Sequence, residues 1–452
     1  MQPDAEVPLT QEVEAAPIPV QTRYQRFPAL MGTAIRLFAG QGAREGYLAA
    51  IDQGAISLAN FIATIMLARQ VSPTELGIYG VGFTALRLVR SFQEGIIVQP
   101  MNTFGASMDQ ASFRRYATST SIIQILLALA SAAVVAAGGW FLTRLGNDVA
   151  GPTLFSLWFA FLGWQFQEYI RRMLYTRGEI FNAVGNTILA NCVRLAVMVW
   201  WATQGSLSGI AGLHAIAWGS LAALLPGLWH TRSFWTARFA NLKQTWQLNW
   251  GFGRWVLGGT LANWVSVEFY PILTAGMISF AAAGAYRALQ NLVAPIHLLL
   301  RATDTFLTPR AARQYQEKGR PALARTLRLT YLVSGIPILG LLSIAILFPV
   351  PLLRLLYGDT YTPYSAGMVL MAIFYALMYA YWPMQTALKA ARFSRPIFFA
   401  YLSATAAMFT VGIWMIQRWG VYGTISGQAL NALIVTVILW GAWNKMNVTR
   451  DA

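Results

Sequence analysis

Twelve apolar stretches, each long enough to cross a bilayer, recur along this chain, and no other feature limits its fold as strongly. They fall at 47–69, 76–101, 118–143, 152–174, 183–203, 208–231, 254–278, 283–308, 325–352, 363–388, 397–417 and 421–444. Inside hydrocarbon every backbone polar group must be paired within its own segment or in a closed barrel, and runs of about 20 apolar residues satisfy this as helices. Of the 452 residues, 11% are charged and 56% hydrophobic. A soluble domain is about 25% charged. The chain reads as an all-α integral membrane protein with no loop large enough to be a soluble domain.

Lys and Arg fix the expected orientation. One side collects basic residues of the N-terminal region, Arg114 and Arg115, Arg171, Arg172 and Arg177, the 232–254 connection, the 310–328 connection, Lys389 to Arg395, and the C-terminus. The other side holds only Arg69, Arg144, Arg354 and Arg418. Both termini are therefore expected in the cytoplasm. The net charge of +16 follows from these basic loops and does not indicate nucleic acid. The single cysteine, Cys192, excludes an intrachain disulfide and is expected to be a small core residue. Residues 1–22 are acidic and proline-containing, unlike a signal peptide, and read as a disordered tail. Residues 28–44 are short, apolar and basic, which suits a helix on the membrane surface.

The chain repeats itself. Ser57-Leu-Ala-Asn60 returns as Thr260-Leu-Ala-Asn263, Gly77-Ile-Tyr79 as Gly284-Ala-Tyr286, and Gly209, Gly212 and Trp229 as Gly420, Gly423 and Trp440. Six spans separate the copies, so both halves have the same orientation: a parallel repeat about an axis along the membrane normal. The expected organisation is a tail with a possible surface helix (1–46), a six-helix lobe (47–231), a cytoplasmic linker (232–253) and a second six-helix lobe with its tail (254–452), with a central cleft between the lobes.

Charges inside the spans mark that cleft, because a charge at bilayer depth costs about 3 kcal/mol or more and must face protein or water. The eighth span, read as one continuous helix, lays Arg287, Gln290, Ala294, His297, Arg301 and Asp304 along one stripe. Its repeat-mate, the second span, carries Arg87, Arg90 and Glu94 on one face. The functional reading is an anion-facing pair of stripes. The structural alternative is that Arg90–Glu94 and Arg301–Asp304 are ion pairs within their own helices. Of the remaining charges, Glu168 lies beside Arg171 and Arg172 near a helix end, where snorkelling and pairing account for it, and Asp52, near the cytoplasmic end of the first helix, reads likewise, whereas Arg194 and Glu268 are deeper. Glu268 is either a coupling-ion site for a proton or sodium or the partner of an arginine. Tyr79, Phe83, Tyr286 and Trp264 suit stacking on sugar faces if they line the cleft, helix packing being the other reading. Pro100, Pro271, Pro295 and Pro383 are candidate kinks. No Walker A motif, Asp-x-Asp motif, Ser/His/Asp set or metal-ligand cluster is legible, so the chain is expected to be neither enzyme nor metalloprotein.

The run Leu58 to Tyr79, with Leu67-Ala-Arg-Gln-Val-Ser-Pro-Thr-Glu-Leu-Gly-Ile-Tyr79, resembles the opening of Wzx-type polysaccharide transporters of the multidrug/oligosaccharidyl-lipid/polysaccharide (MOP) exporter superfamily. The resemblance implies a flippase in the bacterial inner membrane. It would carry a polyprenyl pyrophosphate-linked oligosaccharide from the cytoplasmic to the outer leaflet by alternating access, for O-antigen or exopolysaccharide synthesis beside a polymerase and chain-length proteins. It implies cleft arginines for the pyrophosphate, which here are Arg87, Arg90, Arg287 and Arg301, with His297 beside them. Glu94, Glu268 and Asp304 are the acids available for coupling or ion pairing. No cofactor is implied beyond a coupling proton or sodium ion. A drug or ion antiporter of the same superfamily and a membrane polymerase or ligase acting on lipid-linked sugars are the alternatives. The first predicts an acid-dominated cleft, the second a sizeable outer loop or catalytic acid motif.

Overall fold

A computed structural model describes residues 41–236, 242–391 and 393–446, and all the regular structure among them is helical. The expected tail, and the surface helix except its last residues, lie outside the described residues. The chain divides into two units, Met1–Leu48 and Ala49–Ala452, and the second holds the architecture below. In chain order the helices are α1 (Gln41–Gln70), α2 (Pro73–Gln93), α3 (Gln99–Phe104), α4 (Gln110–Arg144), α5 (Ala150–Thr176), α6 (Ile180–Thr203), α7 (Gly209–Thr231), α8 (Leu242–Glu268), α9 (Tyr270–Met277), α10 (Phe280–Leu292), α11 (Pro295–Leu347), α12 (Pro349–Tyr357), α13 (Gly367–Ala390), α14 (Arg395–Ala407) and α15 (Ile413–Lys445).

Twelve crossings can be traced among the described residues, in two six-helix lobes. Among the described residues, seven helical stretches are long and apolar enough to cross a membrane. The last, Arg395–Lys445, crosses twice, because the chain reverses at Gly420 (φ 56°) and a Cβ on Gly423 would meet the Met415 carbonyl oxygen at 1.9 Å. The other four crossings are α2–α3, α5, α8–α9 and α10 with the start of α11. They carry most of the intramembrane charges, which lowers their hydropathy; Asp52 and Arg194 lie on two of the seven apolar stretches. Gly319 (φ 67°) breaks α11 between its two crossings, a backbone conformation that glycine adopts without a Cβ penalty. Helix α8 begins at Leu242, within the stretch read as the 232–253 linker.

The eighth span is not one helix. It stops at Leu292 and restarts at Pro295, which lacks an N–H and is tolerated at a helix start. The seventh is likewise interrupted between Glu268 and Tyr270, beside Pro271. In the second, a π-helical turn at Glu94–Val98 precedes Pro100. Pro383 sits inside α13 without ending it.

The repeat shows in the capping. Ser72 starts α2 by accepting from the Glu75 N–H (3.3 Å), and Ser279 starts α10 by accepting from the Ala282 N–H (3.1 Å). These two N-termini then pack against each other across the lobes. A Cβ on Gly77 would lie 1.7 Å from the Phe280 carbonyl oxygen, and one on Gly284 would lie 2.0 Å from that of Pro73. The repeated glycines therefore let two backbones touch, as small residues do between membrane helices. At the same end Arg69 of α1 donates to the Leu356 carbonyl of α12 (2.7 Å). The lobes also meet along α8, where Gly253 lies against the Gly95 backbone and Tyr116 donates to Asn249 (2.8 Å).

Candidate functional site: a cavity of arginines

Beyond the Gly77–Gly284 contact, towards the ends that carry the basic loops, lies a cavity of about 220 Å³. Five arginines line it, Arg87, Arg90, Arg171, Arg194 and Arg301, against a single carboxylate, Glu168. They arrive from four different helices. Arg87 and Arg90 lie one turn apart on α2, Arg171 ends the polar face of α5, Arg194 is in mid-α6, and Arg301 follows the break before α11. Most of the wall belongs to the first lobe, and His297, Leu298 and Arg301 are the lining residues of the second.

Partners between helices, not within them, hold these side chains. Arg87 grips Glu268 of α8 with both ends of its fork, at 2.7 and 3.0 Å, and so ties the two lobes together. Arg90 pairs with Glu168 at 2.9 Å rather than with Glu94. Glu94 instead accepts from Gln99 (2.7 Å) and lies 3.9 Å from Arg172. Arg301 donates to Gln53 of α1 (3.0 Å), while Asp304 accepts from the Thr386 hydroxyl of α13. Among the ion pairs of the described residues, Arg90–Glu94 and Arg301–Asp304, the pairs of the structural alternative, do not occur, because the helix packing offers Arg90, Arg301 and Asp304 partners on neighbouring helices.

Glu168 is the hub of a larger cluster than its own helix face supplies. Its buried carboxylate accepts from Arg90, Arg171 (2.7 Å) and Arg172 (2.8 Å), and Arg171 also pairs with Asp52 of α1. Pairing with Arg171 and Arg172 was legible from the three- and four-residue spacing. The contributions of Arg90 and Asp52 were not, since they come from helices distant in sequence.

His297 lines the cavity and its Nε2 is 2.8 Å from the Tyr375 hydroxyl of α13. Arg287 is not part of the lining. Its stem lies on Gly80, its guanidinium sits 5.2 Å from the Phe83 ring centroid, and its Nη1 donates to Gln290 (3.2 Å). The break after Leu292 removes it from the stripe that a continuous helix would have made. Tyr79 and Tyr286 are fully buried and hydrogen-bonded to Arg194 and Gln428. Neither is placed to stack on a sugar, and Trp264 is buried too. Phe83 does line the cavity, beside Trp164, their rings 6.2 Å apart and stacked. Cys192, expected in the core, is exposed on α6.

The architecture is that of MOP-superfamily transporters. Among solved structures, the chain superposes on an inward-facing multidrug resistance MATE family transporter of that superfamily with a TM-score of 0.68, at 12% identity, covering 87% of this chain and 94% of that one. A MOP transporter from Pyrococcus furiosus, described as having a binding pocket of reverse polarity, matches with a TM-score of 0.63 at 13% identity, over 90% and 96% of the two chains. The lipid II flippase MurJ, in an inward closed conformation, matches at 0.62 and 13% identity over 88% and 87%. No family model matches the sequence, and no curated protein matches it.

Proposed function

We propose that this protein is a flippase that carries an anionic, lipid-linked saccharide head across the membrane, most specifically a polyprenyl pyrophosphate-linked oligosaccharide repeat unit bound for a cell-surface polysaccharide. The observation that carries the reading is the cavity lining, five arginines against one carboxylate. Arginine presents a planar fork to phosphate oxygens and keeps its charge when desolvated. A polar head cannot cross about 30 Å of hydrocarbon unaided, whereas its isoprenoid tail need not leave it. An arginine chamber between two lobes accommodates the head, and the tail stays in the bilayer. A cationic-drug antiporter would need the opposite sign in this cavity.

Binding and transport are joined through Arg87. Its bidentate bond to Glu268 links α2 of one lobe to α8 of the other. Pyrophosphate oxygens competing for Arg87 would loosen that link and favour a different packing of the lobes. A ligand shifts such an equilibrium only through differential affinity for the two states. The chain on this reading lies in a bacterial inner membrane with both termini cytoplasmic, and polymerase and chain-length proteins are its expected neighbours.

The test is head turnover by the full chain in proteoliposomes, using a fluorescent polyprenyl pyrophosphate oligosaccharide and a reagent that reports leaflet. Arg90→Ala and Arg301→Ala are expected to lower the rate at least about tenfold with unchanged folding, and lysine at either position to rescue part of it. Normal turnover by both alanine variants would falsify the anion-chamber reading.

A further inference from the structure

Arg194 has no carboxylate partner among the described residues, although its side chain is almost wholly withdrawn from solvent (5% exposed). It lines the cavity. Its Nη1 donates to Asn60 of α1 (2.8 Å) and its Nη2 to the Tyr79 hydroxyl of α2, while its buried Nε–H has no acceptor. Helix α6 enters from the basic-loop end at Ile180, so Arg194 lies about 21 Å along it at 1.5 Å per residue. Glu168, Arg171 and Arg172 sit at that entrance end. Arg194 is thus at the depth of Asn60, away from the ion-paired cluster.

The repeat provides an internal control for a purely structural role. Tyr286, the counterpart of Tyr79, is equally buried, and its hydroxyl donates to the neutral Gln428 (2.9 Å). An amide is therefore enough to satisfy this tyrosine. The first lobe has a full positive charge there instead, lining the cavity, with no carboxylate paired to it among the described residues. An uncompensated buried charge is expensive in a membrane and marks a ligand site.

We propose that Arg194 is a second anion subsite, deeper than the pyrophosphate arginines, which receives the carboxylate of an acidic sugar in the translocated head. The proposal rests on the flippase reading. Five N–H groups on a guanidinium, less the two given to Asn60 and Tyr79, leave three. One guanidinium matches one carboxylate in charge and in its two-oxygen geometry. The more highly charged pyrophosphate matches the several arginines nearer the mouth. Asn60, Asn191 and Ser220 beside Arg194, with the Phe83–Trp164 pair, supply the neutral polar and aromatic surface that sugar rings take.

The experiment measures affinity of the purified full chain for three probes: sugar-free polyprenyl pyrophosphate, the same lipid bearing a glucuronate-containing disaccharide, and the methyl ester of that glucuronate. The wild type is expected to bind the acid about tenfold more tightly than the ester. Arg194→Gln, which keeps a polar amide beside Tyr79 without the charge, is expected to erase that preference while weakening sugar-free lipid binding far less than binding of the acid. Tyr79→Phe, which breaks the tyrosine contact but keeps the charge, is expected to retain the preference. Equal wild-type affinity for acid and ester overturns the proposal without any variant. Equal losses by Arg194→Gln on all three probes also overturn it, by assigning Arg194 to phosphate or to general structure. If sugar-free polyprenyl pyrophosphate fails to bind the wild type, the flippase reading itself has failed, and the subsite falls with it.

Discussion

Arg171 shows how strongly a single residue depends on its neighbours here. It is buried between two carboxylates, Glu168 and Asp52, and Glu168 is shared with Arg90 and Arg172. Replacing it by methionine keeps the volume but leaves buried negative charge without its main partner, a loss of about 3–5 kcal/mol. Arg171→Met is therefore expected to lower the melting temperature in detergent far more than Arg172→Met, whose site is partly open to water (26% side-chain exposure). Equal melting of the two variants would argue against a buried hub. The sequence revealed the local part of this cluster, since Glu168, Arg171 and Arg172 share a helix face. Asp52 and Arg90 come from other helices, and spacing along one helix carries no information about them.

At the level of elements, the two Gly-x-Tyr motifs have a clear physical use. Gly77 and Gly284 are where α2 and α10 approach so closely that no Cβ fits. Gly284→Val is expected to force the lobes apart at the end opposite the basic loops, measured as new reactivity of a Ser57→Cys thiol from that side of the membrane. Unchanged reactivity together with unchanged melting would show that the contact does not close that end. The duplication was visible in the sequence as repeated glycines and tyrosines, because packing needs small residues at recurring positions. The breaks in the seventh and eighth spans were only partly visible. Pro271 and Pro295 marked them, but proline kinks some helices and ends others, as Pro383 within α13 illustrates.

The lobes are joined at the end opposite the basic loops through α2 and α10 and through Arg69 on α12, and also along α8, with the cavity beyond the first junction. In a background where the exposed Cys192 is replaced by serine, single cysteines at Gln53 and Ser57 are expected to react with an impermeant thiol reagent from the basic-loop side only. Added polyprenyl pyrophosphate is expected to protect them. Labelling from both sides alike would contradict a cavity sealed at one end.

Hydropathy, loop charge and internal similarity were enough to define twelve helices, their duplication and the expected side of each loop. Each of these is a local property: a helix in lipid must satisfy its own backbone, and basic loops carry their charge wherever the helices pack. The partners of each buried charge were beyond reach of such reasoning, because they depend on which faces meet. Packing gave Arg87 to Glu268 and Arg90 to Glu168, moved Arg287 away from the chamber, enclosed both tyrosines, and left Arg194 facing the cavity without an acid partner among the described residues.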